Sequence, residues 1–116
     1  MRPTVVANPG HKDLTLVREE VFGPVLVAMP YDDLDDVLRR ANDSEYGLGA
    51  SVWTNRLDQA QRAIDAIHAG TVWVNTHNMV DPNMPFGGFK RSGIGREHGR
   101  AAIDSYTEVK SVCIAY

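Results

Sequence analysis

Residues 50–54 read Ala-Ser-Val-Trp-Thr, and residues 71–75 read Thr-Val-Trp-Val-Asn. Both runs are short and rich in β-branched and aromatic side chains, which is typical of buried strands. The segment between them carries apolar side chains at the spacing of one helical face, namely Leu57, Ala60, Ile64 and Ile67. A strand, a helix and a second strand in this order predict a parallel βαβ unit. We expect Thr54 or Asn55 to cap the helix, and Gly70 to end it with a positive φ angle.

A second pattern of the same kind precedes this unit. Residues 24–29, Pro-Val-Leu-Val-Ala-Met, predict a strand that is buried on both faces. Asp32 or Asp33 can cap a helix whose apolar positions follow the helical period: Leu34, Val37, Leu38 and Ala41. The predicted fold class is therefore α/β, with a partial parallel βαβαβ sheet flanked by helices. A third helix over about 95–105 and a strand over 109–115 complete the predicted elements.

A glycine-rich run separates the third predicted strand from the third predicted helix. Residues 85–99, Pro-Phe-Gly-Gly-Phe-Lys-Arg-Ser-Gly-Ile-Gly-Arg-Glu-His-Gly, hold five of the ten glycines. Ile94 stands where a phosphate-binding loop needs lysine, and His98 stands where the dinucleotide fingerprint needs glycine. The run is therefore predicted to be a structural turn, tied to neighbouring backbone by charged side chains: Lys90, Arg96 and Glu97.

Composition narrows the class of protein. A chain of 116 residues is one domain by size, and 43% hydrophobic with 23% charged residues is ordinary for a globular protein. The net charge of −3 gives no reason to expect nucleic acid or an anionic membrane as partner. No apolar run reaches the length of a membrane span, and the first residues lack the apolar stretch of a signal peptide. The single cysteine, Cys113, excludes an internal disulfide and suits a reducing compartment, so we expect a cytoplasmic protein.

Five short motifs follow one another along the chain. They are Glu-Glu-Val-Phe-Gly-Pro at 19–24, Tyr-Gly-Leu at 46–48, Gly-Thr-Val-Trp-Val-Asn at 70–75, the run at 85–99 and Tyr-Thr-Glu-Val-Lys at 106–110. Together, in this order and spacing, they resemble the NAD(P)-dependent aldehyde dehydrogenase family from about Pro3 to Val112. The resemblance implies a single segment, 1–116, from the C-terminal part of such an enzyme. In it, about 1–108 would complete the catalytic domain, and about 109–116 would add a strand to an oligomerisation sheet.

The resemblance also implies roles for individual residues. Glu20 is implied to bind the nicotinamide ribose of NAD or NADP, and Phe22 to contact and orient the nicotinamide ring. The loop after the third predicted strand is implied to line the entrance for a small-molecule aldehyde. Its candidate substrate-mouth residues are Asn75, His77, Asn78, Met79 and Val80. Asn75 ends a predicted parallel strand, where it could lie near a ligand or could equally hold local backbone.

No residue of this chain is predicted to act as the nucleophile or the general base. In the family, the nucleophilic cysteine, the general-base glutamate and the cofactor domain lie upstream of the matching segment. Cys113 sits in an apolar run and is expected to behave as a small buried hydrophobe. The histidines lack the spacing of metal ligands, so no metal site is predicted at His11, His68, His77 or His98. We therefore expect the isolated chain to be catalytically inactive.

Two other functions compete with a part in aldehyde oxidation. The first is a truncated, non-catalytic assembly module that pairs with itself or with a full-length relative, because an incomplete parallel sheet leaves apolar surface and an open edge. A homo-oligomer, or pairing with another chain, is expected both for a part of an aldehyde dehydrogenase and for an assembly module. The second, an independent nucleotide-binding module, is disfavoured because neither glycine fingerprint is complete.

Overall fold

Short strands and helices are distributed along the whole chain. The structure, a computed structural model, describes residues 1–116. Contacts divide the chain into two compact units, Met1–Glu45 and Tyr46–Tyr116. The first unit contains β1 (Thr4–Ala7), α1 (Thr15–Arg18), β2 (Val25–Ala28) and α2 (Leu34–Asn42). The second contains β3 (Tyr46–Gly47), β4 (Gly49–Val52), α3 (Leu57–Ala66), β5 (Thr71–Val74), β6 (Phe89–Lys90) and a 3₁₀ helix (Arg100–Tyr106).

In the first unit, β1 and β2 form a parallel pair. Its register runs from Thr4 opposite Val25 to Ala7 opposite Ala28. The predicted strand over 24–29 is present as β2, but it is not buried on both faces, since none of its residues is buried and Leu26 is 56% exposed. The sequence patterns do not predict β1. β1 is as short as β2, and its pairing with β2 is what shows it to be a strand.

Helix α2 begins where the sequence predicts. Of the two candidate caps, Asp33 occupies the N-cap position, and its carboxylate accepts a hydrogen bond from the Asp36 N–H at 2.8 Å. The Asp36 carboxylate in turn pairs with Arg39 and Arg40, which lie three and four residues further along the helix. These hydrogen bonds, first the one from Arg39, hold the pKa of the Asp36 carboxyl below its ordinary value.

In the second unit, β4 and β5 form a parallel pair with α3 between them in the chain. The register runs from Gly49 opposite Thr71 to Val52 opposite Val74. The βαβ unit predicted from these two apolar runs is therefore present. Its buried apolar side chains are Ala60, Ala63 and Trp73.

Both ends of α3 differ from the prediction. The N-cap is Arg56, which makes no side-chain capping bond, while the Thr54 hydroxyl accepts a hydrogen bond from the Arg56 N–H at 3.1 Å. The C-cap is Ile67 with a φ of −78°, so Gly70 does not end the helix. A close approach of the backbone requires glycine at that position instead, since a Cβ on Gly70 would lie 1.6 Å from the carbonyl oxygen of Gly87.

The parallel strands belong to two sheets rather than to the one βαβαβ sheet that the sequence predicts. β2 pairs with β1, β4 pairs with β5, and β3 pairs antiparallel with β6. Each parallel strand thus has its partner within its own unit. The α/β fold class is confirmed, because helices alternate with parallel strands in both units.

The C-terminal elements also differ from the prediction. The third helix, predicted over 95–105, is a 3₁₀ helix that starts only at Arg100, after Gly99 with a φ of 57°. A left-handed residue at that point interrupts any right-handed helix begun earlier. The predicted strand over 109–115 is absent, since a strand needs a hydrogen-bonded neighbour and no strand of this chain pairs with that segment. Cys113 is accordingly exposed rather than buried.

Few apolar side chains are buried in either unit: Leu38, Ala60, Ala63 and Trp73. Many large apolar side chains stay exposed, among them Phe22 at 98%, Ile94 at 102% and Val109 at 100%. None of the helices has the length and apolar character needed to cross a lipid bilayer.

Candidate functional site

The two residues implied to bind a cofactor lie on the loop between α1 and β2. Two successive hydrogen bonds close γ-turns there, from the Gly23 N–H to the Val21 carbonyl at 2.7 Å and from the Val25 N–H to the Gly23 carbonyl at 2.8 Å. Phe22 is the central residue of the first turn, and its side chain is 98% exposed. These local hydrogen bonds therefore hold the backbone of Phe22, and so the position of its side chain, just before β2 begins.

Glu20 lies two residues before Phe22 and is also exposed. Its carboxylate makes no hydrogen bond or ion pair within the chain. A free carboxylate accepts hydrogen bonds from hydroxyl groups, and an exposed aromatic ring can pack against another planar ring. The chemistry of this pair fits the ribose diol and the nicotinamide ring of NAD or NADP.

Asn75 lies at the carboxyl end of β5 and holds local backbone. Its φ angle is 55°, a left-handed conformation that asparagine tolerates better than most residues. The side-chain amide bonds both sides of Thr54, accepting from the Thr54 N–H at 2.9 Å and donating to the Thr54 carbonyl at 2.9 Å. The Asn75 N–H also donates to the Val52 carbonyl at 2.8 Å. The contact with local backbone that the sequence allows for Asn75 is thus present.

His77 connects the loop after β5 with both strands of the parallel pair. Its Nδ1 lies 2.8 Å from the Ser51 hydroxyl oxygen on β4. Its ring meets the indole of Trp73 on β5 edge to face, with centroids 5.5 Å apart and planes at 68°. Ser51 and Trp73 are themselves register partners across the two strands. Side chains from β4, β5 and the loop therefore meet at one place.

The next loop residues present apolar side chains while their backbone is held. The Trp73 indole N–H donates to the Met79 carbonyl at 2.8 Å. The Met79 side chain is 68% exposed and that of Val80 is 48% exposed. Asn78, just before them, is exposed and has a φ of 55°. The predicted substrate-mouth residues thus form one ordered loop with its apolar side chains facing outward.

The glycine-rich run lines a cleft of about 380 Å³ in the second unit. The Arg96 guanidinium donates to the carbonyls of Gly88 at 3.1 Å and Gly95 at 2.7 Å, and lies 5.4 Å from the centre of the Phe89 ring. The Glu97 backbone exchanges two hydrogen bonds with Phe86, of 2.7 and 2.8 Å. Arg96 therefore ties the turn to its backbone, as the sequence predicts, because one guanidinium nitrogen, Nη1, donates to both carbonyls.

Sequence reasoning missed two residues that support the loop after β5. The sequence identifies Ser51 and Trp73 only as members of apolar strands. The polar side chain of Ser51, second in the run Ala-Ser-Val-Trp-Thr, is the one local signal in the sequence that points to it. The contact itself joins positions 26 residues apart and is set by the strand register.

Comparison with known proteins adds to this geometry. Residues 1–112 match the family model described as the aldehyde dehydrogenase family. The chain belongs to the aldehyde dehydrogenase family. The resemblance carried by the five motifs is thereby confirmed.

Individual aldehyde dehydrogenases resemble the chain over almost its whole length. The phenylacetaldehyde dehydrogenase of Pseudomonas fluorescens is 62% identical over 116 residues, which are 100% of this chain and 23% of that protein. The betaine aldehyde dehydrogenase of Agrobacterium fabrum is 46% identical over 115 residues, 99% of this chain and 23% of that protein. The NAD⁺ complex structure of the aldehyde dehydrogenase from Bacillus cereus superposes with a TM-score of 0.89 at 50% identity, covering 96% of this chain and 22% of that one. The chain thus spans less than a quarter of the length of these relatives.

Proposed function

We propose that this chain is the part of an NAD(P)-dependent aldehyde dehydrogenase that holds the nicotinamide end of the cofactor and forms one wall of the substrate entrance. The observation that carries this proposal is the pairing of a free carboxylate, Glu20, with a fully exposed ring, Phe22, on a loop fixed by backbone hydrogen bonds. The NAD⁺ complex of the Bacillus cereus relative supports a nicotinamide dinucleotide as the cofactor.

The contribution of the two residues is binding and orientation. When bound, NAD or NADP supplies a hydride acceptor for the oxidation of an aldehyde to a carboxylic acid. The Glu20 carboxylate accepts hydrogen bonds from the ribose hydroxyls, and the Phe22 ring restricts the tilt of the nicotinamide. Hydride transfer depends on a short and well-aligned approach, so small errors in orientation lower the rate strongly.

The substrate proposed for this enzyme is an aldehyde with an apolar or aromatic tail. The exposed Met79 and Val80 side chains give the loop after β5 an apolar face. The name of the Pseudomonas fluorescens relative supports phenylacetaldehyde. Betaine aldehyde, named for the Agrobacterium fabrum relative, carries a cationic tail, and an apolar face offers no charge to pair with it.

Catalysis by the complete enzyme also needs groups outside this chain. Cys113, the only thiol, is exposed near the end of the chain and makes no bond with a histidine or carboxylate. We expect the 116-residue chain alone to leave an aldehyde unoxidised in the presence of NAD⁺. We expect the complete enzyme to act in the cytoplasm, where a free thiol stays reduced.

An assembly role is a second candidate, and a separate observation favours it. The residues after the 3₁₀ helix are exposed and include Val109, Val112 and Ile114 at 100%, 72% and 67%. Such a segment can add as a strand to a sheet of another subunit, where its backbone would gain hydrogen-bond partners. Light scattering, which gives the molecular mass in solution, tests this role. Deletion of 109–116 should turn an oligomer into a monomer, and an unchanged mass per particle would contradict the assembly role.

A graft tests the main proposal. The matching residues of the Pseudomonas fluorescens phenylacetaldehyde dehydrogenase are replaced by this chain, which is 62% identical to them, to give a grafted enzyme. We expect it to oxidise phenylacetaldehyde with NAD⁺. Glu20→Gln should lower kcat/KM for NAD⁺ by about 10-fold, since hydrogen bonds to a charged group contribute about 1.5–3 kcal/mol and the neutral ones that glutamine can still accept contribute about 0.5–1.5 kcal/mol. Glu19→Gln is the matched control, and equal effects of the two substitutions would refute the assignment of Glu20.

A further inference from the structure

We infer that Ser51 and His77 form a positioning pair that sets the width of the substrate entrance for an aldehyde with a large apolar tail. The inference rests on the proposed function, because it assigns a second layer of residues to the same entrance. The pair lies at the carboxyl half of the β4–β5 strands, where parallel sheets bind ligands.

The loop after β5 needs an external tie to keep its shape. Asn75 and Asn78 both have φ angles of 55°, a conformation that costs free energy for any residue with a side chain. Two contacts hold the backbone between and after them, the Ser51–His77 hydrogen bond at 2.8 Å and the Trp73 indole bond to the Met79 carbonyl at 2.8 Å. The His77 ring also packs against Trp73, so the two ties support each other.

The arrangement fixes Met79 and Val80 rather than reacting with a substrate itself. A serine and a histidine at 2.8 Å could suggest a nucleophile and its base. Such a base is normally oriented by a third group, and within this chain the other ring nitrogen of His77 has no carboxylate or carbonyl partner. The Ser51 hydroxyl can donate to or accept from Nδ1, so the bond forms with either neutral tautomer and also with the protonated ring. These properties suit a permanent tie.

Loss of the tie should matter only for aldehydes that reach the loop. Without the Ser51 hydroxyl, the loop samples other positions, and Met79 and Val80 no longer present one apolar surface. Phenylacetaldehyde should then bind less well, whereas acetaldehyde carries a single methyl group and does not depend on that surface. The loss of one hydrogen bond corresponds to about a 2- to 10-fold rise in KM for phenylacetaldehyde, with kcat little changed.

The grafted enzyme provides the test, with two pairs of variants. Ser51→Ala removes the hydroxyl, and Ser51→Thr retains one on a residue suited to a strand. His77→Phe keeps the ring against Trp73 without the hydrogen bond, while His77→Asn keeps a polar atom near the Nδ1 position without the ring. Thr4→Val is the control, since it removes a strand hydroxyl that bonds only the Arg2 carbonyl in the other unit.

The expected result is a rise in KM for phenylacetaldehyde in Ser51→Ala and His77→Phe, its recovery in Ser51→Thr, and no change for acetaldehyde. Hydrogen exchange of the Trp73 indole proton gives a readout that needs no activity, and it should quicken in Ser51→Ala. An active grafted enzyme in which Ser51→Ala matches Thr4→Val in both readouts would overturn this inference alone. A folded grafted enzyme that oxidises no aldehyde would instead contradict the proposed function, and unchanged exchange would still overturn the tie.

Discussion

Replacement of Asn75 tests how the carboxyl ends of β4 and β5 are held together. The Asn75 amide makes two hydrogen bonds to the Thr54 backbone, each of 2.9 Å, and the residue has a φ of 55°. Both bonds are exposed, so each contributes about 0.5 kcal/mol, the low end of the usual range. Alanine in a left-handed conformation costs about 1 kcal/mol more than glycine. We therefore expect Asn75→Ala to lower the free energy of unfolding by about 1–2 kcal/mol, and Asn75→Gly to lower it by about 1 kcal/mol less than Asn75→Ala does.

Urea unfolding followed by tryptophan fluorescence measures both changes, provided that the m-value stays constant. Hydrogen exchange of the Thr54 amide adds a local readout, because that N–H donates to the Asn75 side chain. Exchange at Thr54 should quicken in both variants. Equal destabilisation by alanine and glycine would refute the part assigned to the left-handed backbone. Unchanged exchange at Thr54 would refute the claim that the Asn75 side chain holds the Thr54 backbone.

Two further predictions concern packing and charge. Gly70→Ala should lower the free energy of unfolding by about 1–3 kcal/mol or more, since its Cβ would overlap the Gly87 carbonyl. The control Gly10→Ala places its Cβ in open space and should change the free energy of unfolding little. Urea unfolding measures both changes. In the folded chain the Asp36 pKa is lowered, first by the hydrogen bond from Arg39. At a pH above the unfolded pKa this carboxylate therefore stabilises the fold, and the contribution is lost as the pH falls through the lower folded pKa. An NMR titration should show Asp36 with a pKa below its unfolded value in the chain and a higher value after Arg39→Gln, and an identical titration in both would contradict the assignment.

The sequence predicts the elements that carry a clear period. β2, α2, α3 and β5 are found close to their predicted positions because apolar spacing and strand composition are properties of adjacent residues. β1 is no shorter than β2 or β5, and only its pairing with β2 shows it to be a strand. The division into two sheets follows from that pairing and could not be read from apolar spacing.

Contacts between distant residues account for the other differences. In sequence Gly70 has the position of a helix cap. Glycine is needed there because the Gly87 backbone approaches it closely in the folded chain. The segment 109–115 has the composition of a strand, but a strand also requires a neighbour, and this chain provides none. At the candidate site, the motif that contains Glu20 and Phe22 is contiguous and could be recognised, whereas the Ser51–His77 contact depends on the register of β4 and β5.

The measurement that tests the account most directly is a crystal structure of the grafted enzyme with NAD⁺. The distance that decides is the one between the Glu20 carboxylate and the hydroxyl oxygens of the nicotinamide ribose. The account predicts a hydrogen bond of about 2.5–3.0 Å, with the Phe22 ring in contact with the nicotinamide. An ordered cofactor whose ribose hydroxyls all lie more than about 4 Å from Glu20, beyond the range of any hydrogen bond, would contradict it.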